Sequence, residues 1–310
     1  MADVALQQQS AWVGGLAEWT EGDVAYLSVA FTWKLREARD RARWYRSLGY
    51  RVRAGGPATF RPAGHLADVA ELGGDLPDAV RRHNPAATIA SRGCPVGCWF
   101  CIVPPMEGKT FTLLPDFPVR PVLCDNNLSA LPADYQQYIV SRYQAAAVPL
   151  LDANSGFEPR TFDRAVYERW RPILKGPWRF AFDDWDEAVP VIEVLDMLKD
   201  LSPKRKRVYV LIGNEPFAEC MARLHYVLGP DSHVGVARKP RGEPHVQPLM
   251  KLNALEKEYW VRFDWTEKLL RDVARWANRR IWRYAPFSEY AGSVKSARVD
   301  RFDKQTGLFA

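Results

Sequence analysis

No run of about 18 uncharged apolar residues occurs in this 310-residue chain, so a conventional membrane-spanning helix is not expected. The first twenty residues hold Trp, Gln and Glu and lack the basic start and apolar stretch of a secretory leader. The expected location is therefore the cytoplasm, with no membrane partner. Cysteine is scarce: there are five, three of them within eight residues, which is not the even, dispersed set of a disulfide scaffold. A reducing compartment would keep those thiols available as ligands. Internal repeats and low-complexity tracts are also missing.

What is present is a folding composition. Hydrophobic residues make up 47% of the chain, enough for one large domain or a core domain with a smaller companion. The formal charge of +6 suits an anionic partner such as nucleic acid or a phosphorylated metabolite. Tryptophan and tyrosine interleave with arginine in Arg43-Trp44-Tyr45-Arg46, Glu168-Arg169-Trp170-Arg171 and Arg279-Arg280-Ile281-Trp282-Arg283-Tyr284. Such mixtures stack and neutralise a nucleic-acid strand, or form half-buried helix faces with snorkelling arginines.

Along the chain, Asp23–Ala30 reads as a buried strand. Lys34–Leu48 reads as a helix with Leu35, Ala38, Ala42, Tyr45 and Leu48 on one face, stopped by Gly49. Tyr50–Ala54 completes a βαβ unit. Further strands are expected at Thr88–Ser91, Pro121–Cys124, Val148–Asn154, Arg179–Asp183, Arg207–Gly213 and His233–Ala237. Helices are expected near Ala133–Ala147, Thr161–Ile173, Ala188–Leu198 and Phe217–Leu228. Such alternation predicts an α/β protein whose parallel sheet curls into a partial (β/α)₆ TIM-type barrel. The expected organisation is an N-terminal α/β element over 1–85, the barrel over 86–240 and a C-terminal helical extension over 241–310. The pattern loosens from Lys239 to His245, and a last helix is expected from Trp265 to Arg279.

The densest chemistry lies in Ser91-Arg-Gly-Cys-Pro-Val-Gly-Cys-Trp-Phe-Cys-Ile102, where Cys94, Cys98 and Cys101 offer three thiolates. Thiolates select zinc or iron–sulfur clusters. A structural zinc site needs a fourth ligand, for which His83 and Cys124 are the candidates. Three ligands on a cubane cluster instead leave one iron open to a small molecule.

The motif Cys94-x-x-x-Cys98-x-Phe100-Cys101, placed after a strand at the head of a β/α series, resembles that of the radical SAM superfamily. The resemblance covers residues 86–240. It implies a [4Fe-4S] cluster on the three cysteines and S-adenosylmethionine on the open iron. It also implies an external electron donor of flavodoxin or ferredoxin type, and abstraction of a hydrogen atom from substrate. Position within the family pattern places Phe100 near the adenine and Asp125, Asn126 and Asn127 at the methionine amino group, where the family has a Gly-Gly-Glu-like segment. By the same resemblance Asn154, Ser155, Asp183 and Asp184 fall at the ribose, unless they only cap the helices that follow. Ile212 and Gly213 fall at the adenine.

Substrate-side candidates at the expected barrel mouth are Glu158, Arg160, Glu215, Arg238, Lys239 and Arg241, which together would clamp a phosphate or carboxylate. Cys124 is either a hydrogen-atom donor or a buried structural thiol. The N-terminal βαβ unit resembles a reduced form of the domain preceding the barrel in cobalamin-dependent and methylthiotransferase members. It lacks their Asp-x-His-x-x-Gly motif, so no cobalamin is expected, and no cysteine precedes Cys94 to hold an auxiliary cluster. The substrate is expected to be a nucleic-acid base or modified nucleotide, with a small metabolite as the alternative. A non-catalytic zinc or iron–sulfur module that binds nucleic acid is the reading from outside the enzyme class.

Overall fold

Six consecutive buried residues, Val24–Val29, form the central strand of the N-terminal sheet. A computed structural model of the chain describes residues 12–60, 64–73, 76–229, 240–249, 259–290 and 292. Strands β1 (Leu16–Glu21), β2 (Val24–Val29), β3 (Arg51–Gly55) and β4 (Glu71–Leu72) lie in that order. The β1–β2 pair is antiparallel and β2, β3 and β4 run parallel. The helix Leu35–Ser47 connects β2 to β3 and buries Leu35, Ala38, Ala42 and Tyr45 against them, as its periodicity predicts. Leu48 departs from that prediction at 55% exposure. It sits where the backbone leaves the helix, and Gly49 follows at φ 90°, so the apolar stripe ends one turn early.

Five short strands come next: β5 (Ala87–Thr88), β6 (Ser91–Arg92), β7 (Thr112–Leu113), β8 (Val122–Leu123) and β9 (Asp152–Ala153). A parallel sheet of order β5-β8-β9 and an antiparallel β6–β7 pair result. The expected strand Thr88–Ser91 is thus split, because the chain leaves one sheet at Thr88 and enters the other at Ser91. An aromatic cluster of Phe157, Phe162, Trp170, Trp178 and Phe180 packs edge-on and tilted, with ring centroids 5.0–6.3 Å apart.

The chain divides into two compact units between Phe180 and Ala181, inside β10 (Trp178–Phe182). This strand belongs to a three-stranded sheet of order β10-β11-β12 with β11 (Lys206–Ile212) and β12 (Glu243–Pro248), the last two parallel. Helices Ala188–Met197 and Phe217–Leu228 match the expected positions closely, and Glu267–Asn278 matches the last. Thr266 Oγ1 caps this last helix by accepting from the Leu269 N–H at 3.1 Å. The expected strand His233–Ala237 lies outside the described residues. Of the segment expected to be irregular, Lys239–His245, the last three residues instead begin β12. This strand lies at the end of the sheet order, where Pro244 and Pro248 are tolerated. Asn278 completes the outer side of Val246, its Oδ1 accepting from Val246 N–H at 2.7 Å and its Nδ2 donating to Val246 O at 2.9 Å.

The partial (β/α)₆ barrel is not formed among the described residues. Their strands divide among four separate sheets of two to four strands, none of them curved or closed. Barrel closure needs strands long enough to pair on both sides with a constant stagger. Here β5, β8 and β9 are two residues each. Pro121 precedes β8 and Pro149 falls in the expected strand Val148–Asn154, and each removes a ladder donor. The architecture is a mixed α/β fold of small sheets. No helix among the described residues is long and apolar enough to cross a membrane.

Leu27 is fully buried in the N-terminal core, so truncating it leaves a cavity. Leu27→Ala is expected to cost about 3 kcal/mol, read as a fall in the urea unfolding midpoint at unchanged slope.

Candidate functional site

The cysteine segment is the excursion between β6 and β7, whose antiparallel register (Ser91 opposite Leu113, Arg92 opposite Thr112) closes its base. Gly93 opens it at φ 83°, and a Cβ there would overlap the Thr110 carbonyl, so this position requires glycine. Cys94 N–H donates to Gly108 O at 3.3 Å, and Cys101 N–H donates to Cys98 O at 3.0 Å. Val103 N–H approaches Cys101 Sγ at 3.4 Å. All three cysteines are part-buried and none is in a disulfide. A short helix, Val103–Glu107, follows with proline in its first turn, where no intrahelical N–H is needed, and ends at Gly108 with φ 94°.

Glu107 organises this excursion, although nothing in the motif marks it. One carboxylate oxygen accepts from Arg92 Nη1 at 3.2 Å. The other accepts from Gly93 N–H at 3.0 Å and from Asn126 Nδ2 at 2.7 Å. The signal available in the sequence was a carboxylate at the C-terminal end of a helix, where the dipole disfavours negative charge.

The segment after β8 packs on the cysteine loop. Asn126 also donates to Gly93 O at 3.3 Å, and Asn127 Nδ2 approaches Cys94 Sγ at 3.8 Å. Asp125 is 1% exposed and accepts from Ala90 N–H at 2.9 Å and Ser91 Oγ at 2.5 Å. Burial pushes its carboxyl up to about 6, against the opposing pull of those two donors. Asn127 Oδ1 accepts from Ala130 N–H at 3.1 Å and from Ser129 Oγ at 3.4 Å. Ser129 Oγ in turn accepts from Glu158 N–H at 2.8 Å. The loop ends of β8 and β9 are thereby tied to one another and to Cys94.

Other expected residues are engaged elsewhere. Glu158 is buried and its Oε1 takes Arg160 Nε at 2.6 Å, so this pair satisfies itself. Asn154 hydrogen-bonds the Cys124 thiol, which burial first, then Asp152 and Asp125, push up to about 12. Cys124 is therefore a neutral thiol at pH 7. His83 Nε2 lies 2.9 Å from Ser28 Oγ, and burial lowers its pKa. Among the described residues, no three His, Cys, Asp or Glu side chains are gathered as a metal-holding group, the three cysteines included. Ser155 is exposed, and Phe100 meets Trp99 edge-on at 5.4 Å.

The remaining candidates belong to the second unit. Asp184 caps the turn Trp185–Glu187 through Oδ1, accepting from Asp186 N–H at 3.0 Å. The backbone of Asp183 bonds Glu187 and Asn214. Ile212 is fully buried, and Gly213 at φ 95° faces Leu249, Trp260 and Leu270. Glu215 pairs at 2.7 Å with Arg223, a guanidinium at 0% exposure, and accepts from Trp185 N–H at 3.1 Å. Its charge is committed to holding a buried cation, which would otherwise be very costly. Arg223 escaped notice as a polar residue on the apolar face of its helix, beside Cys220 and Leu224. Arg241 stacks over Tyr226 at 4.1 Å. Arg238 and Lys239 lie outside the described residues.

No protein-family model matches the chain, and no curated protein matches it.

Two expectations follow. The folded Asp125 carboxyl titrates above its usual value, so the unfolded chain releases this proton first. Stability should fall by about 3 kcal/mol as pH rises from about 4 to about 6 and stay at that lower level above it. Asp125→Asn should flatten that slope in urea midpoints measured across the window. In the apo protein at about pH 8, iodoacetamide should modify Cys94, Cys98 and Cys101 well before Cys124 and Cys220, whose thiols burial pushes up; peptide mass mapping reads the order.

Proposed function

We propose that this chain is a radical SAM enzyme whose Cys94, Cys98 and Cys101 bind a [4Fe-4S] cluster. The observation that carries the reading is the packing of Asn126 and Asn127 on the cysteine loop. The segment assigned by resemblance to the methionine group of SAM lies within hydrogen-bond reach of Gly93, Glu107 and Cys94. The donor set also fits: three part-buried free thiols within eight residues, and a nearby backbone N–H aimed at one sulfur. The side chains are not drawn together, so metal would have to gather them. Metal binding and local ordering are coupled in this way when ligands are carried on a loop.

When bound, the cluster would supply one electron to SAM, whose cleavage gives methionine and a 5'-deoxyadenosyl radical that takes a hydrogen atom from substrate. The chain's own part is to hold and orient. Glu107 fixes the entrance of the loop through Gly93, and Asn126 Nδ2 donates to that same carboxylate. Asp125 anchors the segment from beneath and is not itself offered to a ligand. The proposed substrate is a nucleic-acid base or modified nucleotide, with an external flavodoxin- or ferredoxin-type donor as reductant. Of the interleaved stretches, Trp170 and Trp282 are buried, and it is the exposed Trp44 and Tyr284 beside arginines that support that class over a small metabolite.

Anaerobic reconstitution should load about four iron and four sulfide per chain, and dithionite with SAM should then release 5'-deoxyadenosine. Cys98→Ala should lose both. Release that persists in Cys98→Ala would overturn the assignment, as would about one zinc per chain and no iron in the isolated protein.

A further inference from the structure

The N-terminal sheet carries a second surface that the cysteine chemistry does not use. The turn Thr32–Lys34 and the helix Leu35–Ser47 bury Leu35, Ala38, Ala42 and Tyr45, which turns Arg36, Asp40, Arg43, Trp44 and Ser47 outward. Trp33 begins this outward line. Three aromatic rings stand in solvent here: Phe31 at 41%, Trp33 at 54% and Trp44 at 45% exposure. Phe31 and Trp33 are stacked face to face, with centroids 4.4 Å apart and planes 10° from parallel. Trp44 has one face covered by the Arg41 guanidinium at 4.2 Å, and Arg41 is itself fixed by two bonds to Glu18, at 2.7 and 2.8 Å. These rings are thus held in place while remaining open to water.

The charges along the line are cationic on balance. Arg36 and Arg43 have no ion-pair partner among the described residues. Glu37 is taken by Lys34 at 2.6 Å, leaving Asp40 as the opposing carboxylate. A hydrophobic protein partner would require one continuous apolar patch. Here the Phe31–Trp33 pair is separated from Trp44 by charged side chains instead. Rigid aromatic faces alternating with unpaired guanidinium groups match the bases and phosphates of a single strand. Trp33 and Trp44 are eleven residues apart, which at helical rise is about 16 Å, or roughly four to five stacked nucleotides.

We propose that this face binds single-stranded nucleic acid, with Trp33 and Trp44 stacking bases and Arg36 and Arg43 contacting phosphates. The inference concerns binding alone and does not depend on a cluster at Cys94, Cys98 and Cys101.

The test is fluorescence anisotropy of the full chain with labelled oligo(dT) and oligo(U) of about 20 nucleotides, titrated over a range of salt. Trp33→Ala with Trp44→Ala should weaken binding at least about tenfold, and Trp33→Phe with Trp44→Phe should retain most of it. Arg36→Gln with Arg43→Gln should lower the log–log salt slope by about 1.4. Far-UV circular dichroism and melting should match wild type for each, since the altered side chains are exposed. Cys98→Ala should bind as wild type does while failing to release 5'-deoxyadenosine, which separates this proposal from the enzymatic one. Absence of binding by wild type, equal affinity in the alanine pair, or equally tight binding of polyglutamate would each overturn it.

Discussion

The cysteine region depends on one buried carboxylate. Asp125 reaches from the end of β8 to the Ala90 N–H and the Ser91 hydroxyl, the two residues where the chain passes from one sheet into the next. With strands only two residues long, few ladder hydrogen bonds hold β5 and β8 together, and a side chain must supply what a longer sheet would have given through its backbone. The cost of burying Asp125 shows in its raised titration, and two short donor contacts offset it. The cysteine loop, which starts just past Ser91, is anchored at that junction.

Glu107 plays the matching part at the far end of the excursion. By binding Gly93 N–H, Arg92 and Asn126 together, it joins the start of the loop, its end and the segment after β8 through one side chain. Two carboxylates therefore do different work in one small region. Asp125 is dry and structural, while Glu107 is more accessible and sits beside the polar side chains of the candidate cofactor site.

How far the sequence could be read depended on the range of the forces involved. Helices whose apolar faces repeat at 3.6 residues, such as Phe217–Leu228, and strands dominated by apolar residues, such as Val24–Val29 and residues 208–212 of β11, were legible because the pattern is local. Sheet closure was not, since it depends on how many residues of each strand find a partner far away in sequence. Alternation of elements says nothing about that length. Proline-rich β12 was missed because proline argues against a strand only when both sides are paired. Within the candidate site, the cysteines and the Asp125–Asn127 segment were visible by type and spacing. Glu107 was not, because its importance lies in partners far along the chain; in the second unit, Arg223 was missed as a polar residue on an apolar helix face. Glu158, Asp184 and Glu215 looked available for ligands, yet each has a structural partner close by.

Asn278 offers Val246 both an acceptor and a donor, as a peptide group on a neighbouring strand would. The outer rim of β12 is consequently already answered at Val246, which is 1% exposed. A strand from another molecule arriving there would find no open register and would have to displace an amide held by a helix. The amide thus discourages edge-to-edge association, the route by which exposed strands seed aggregates, without a charge or a bulge being spent on the edge itself.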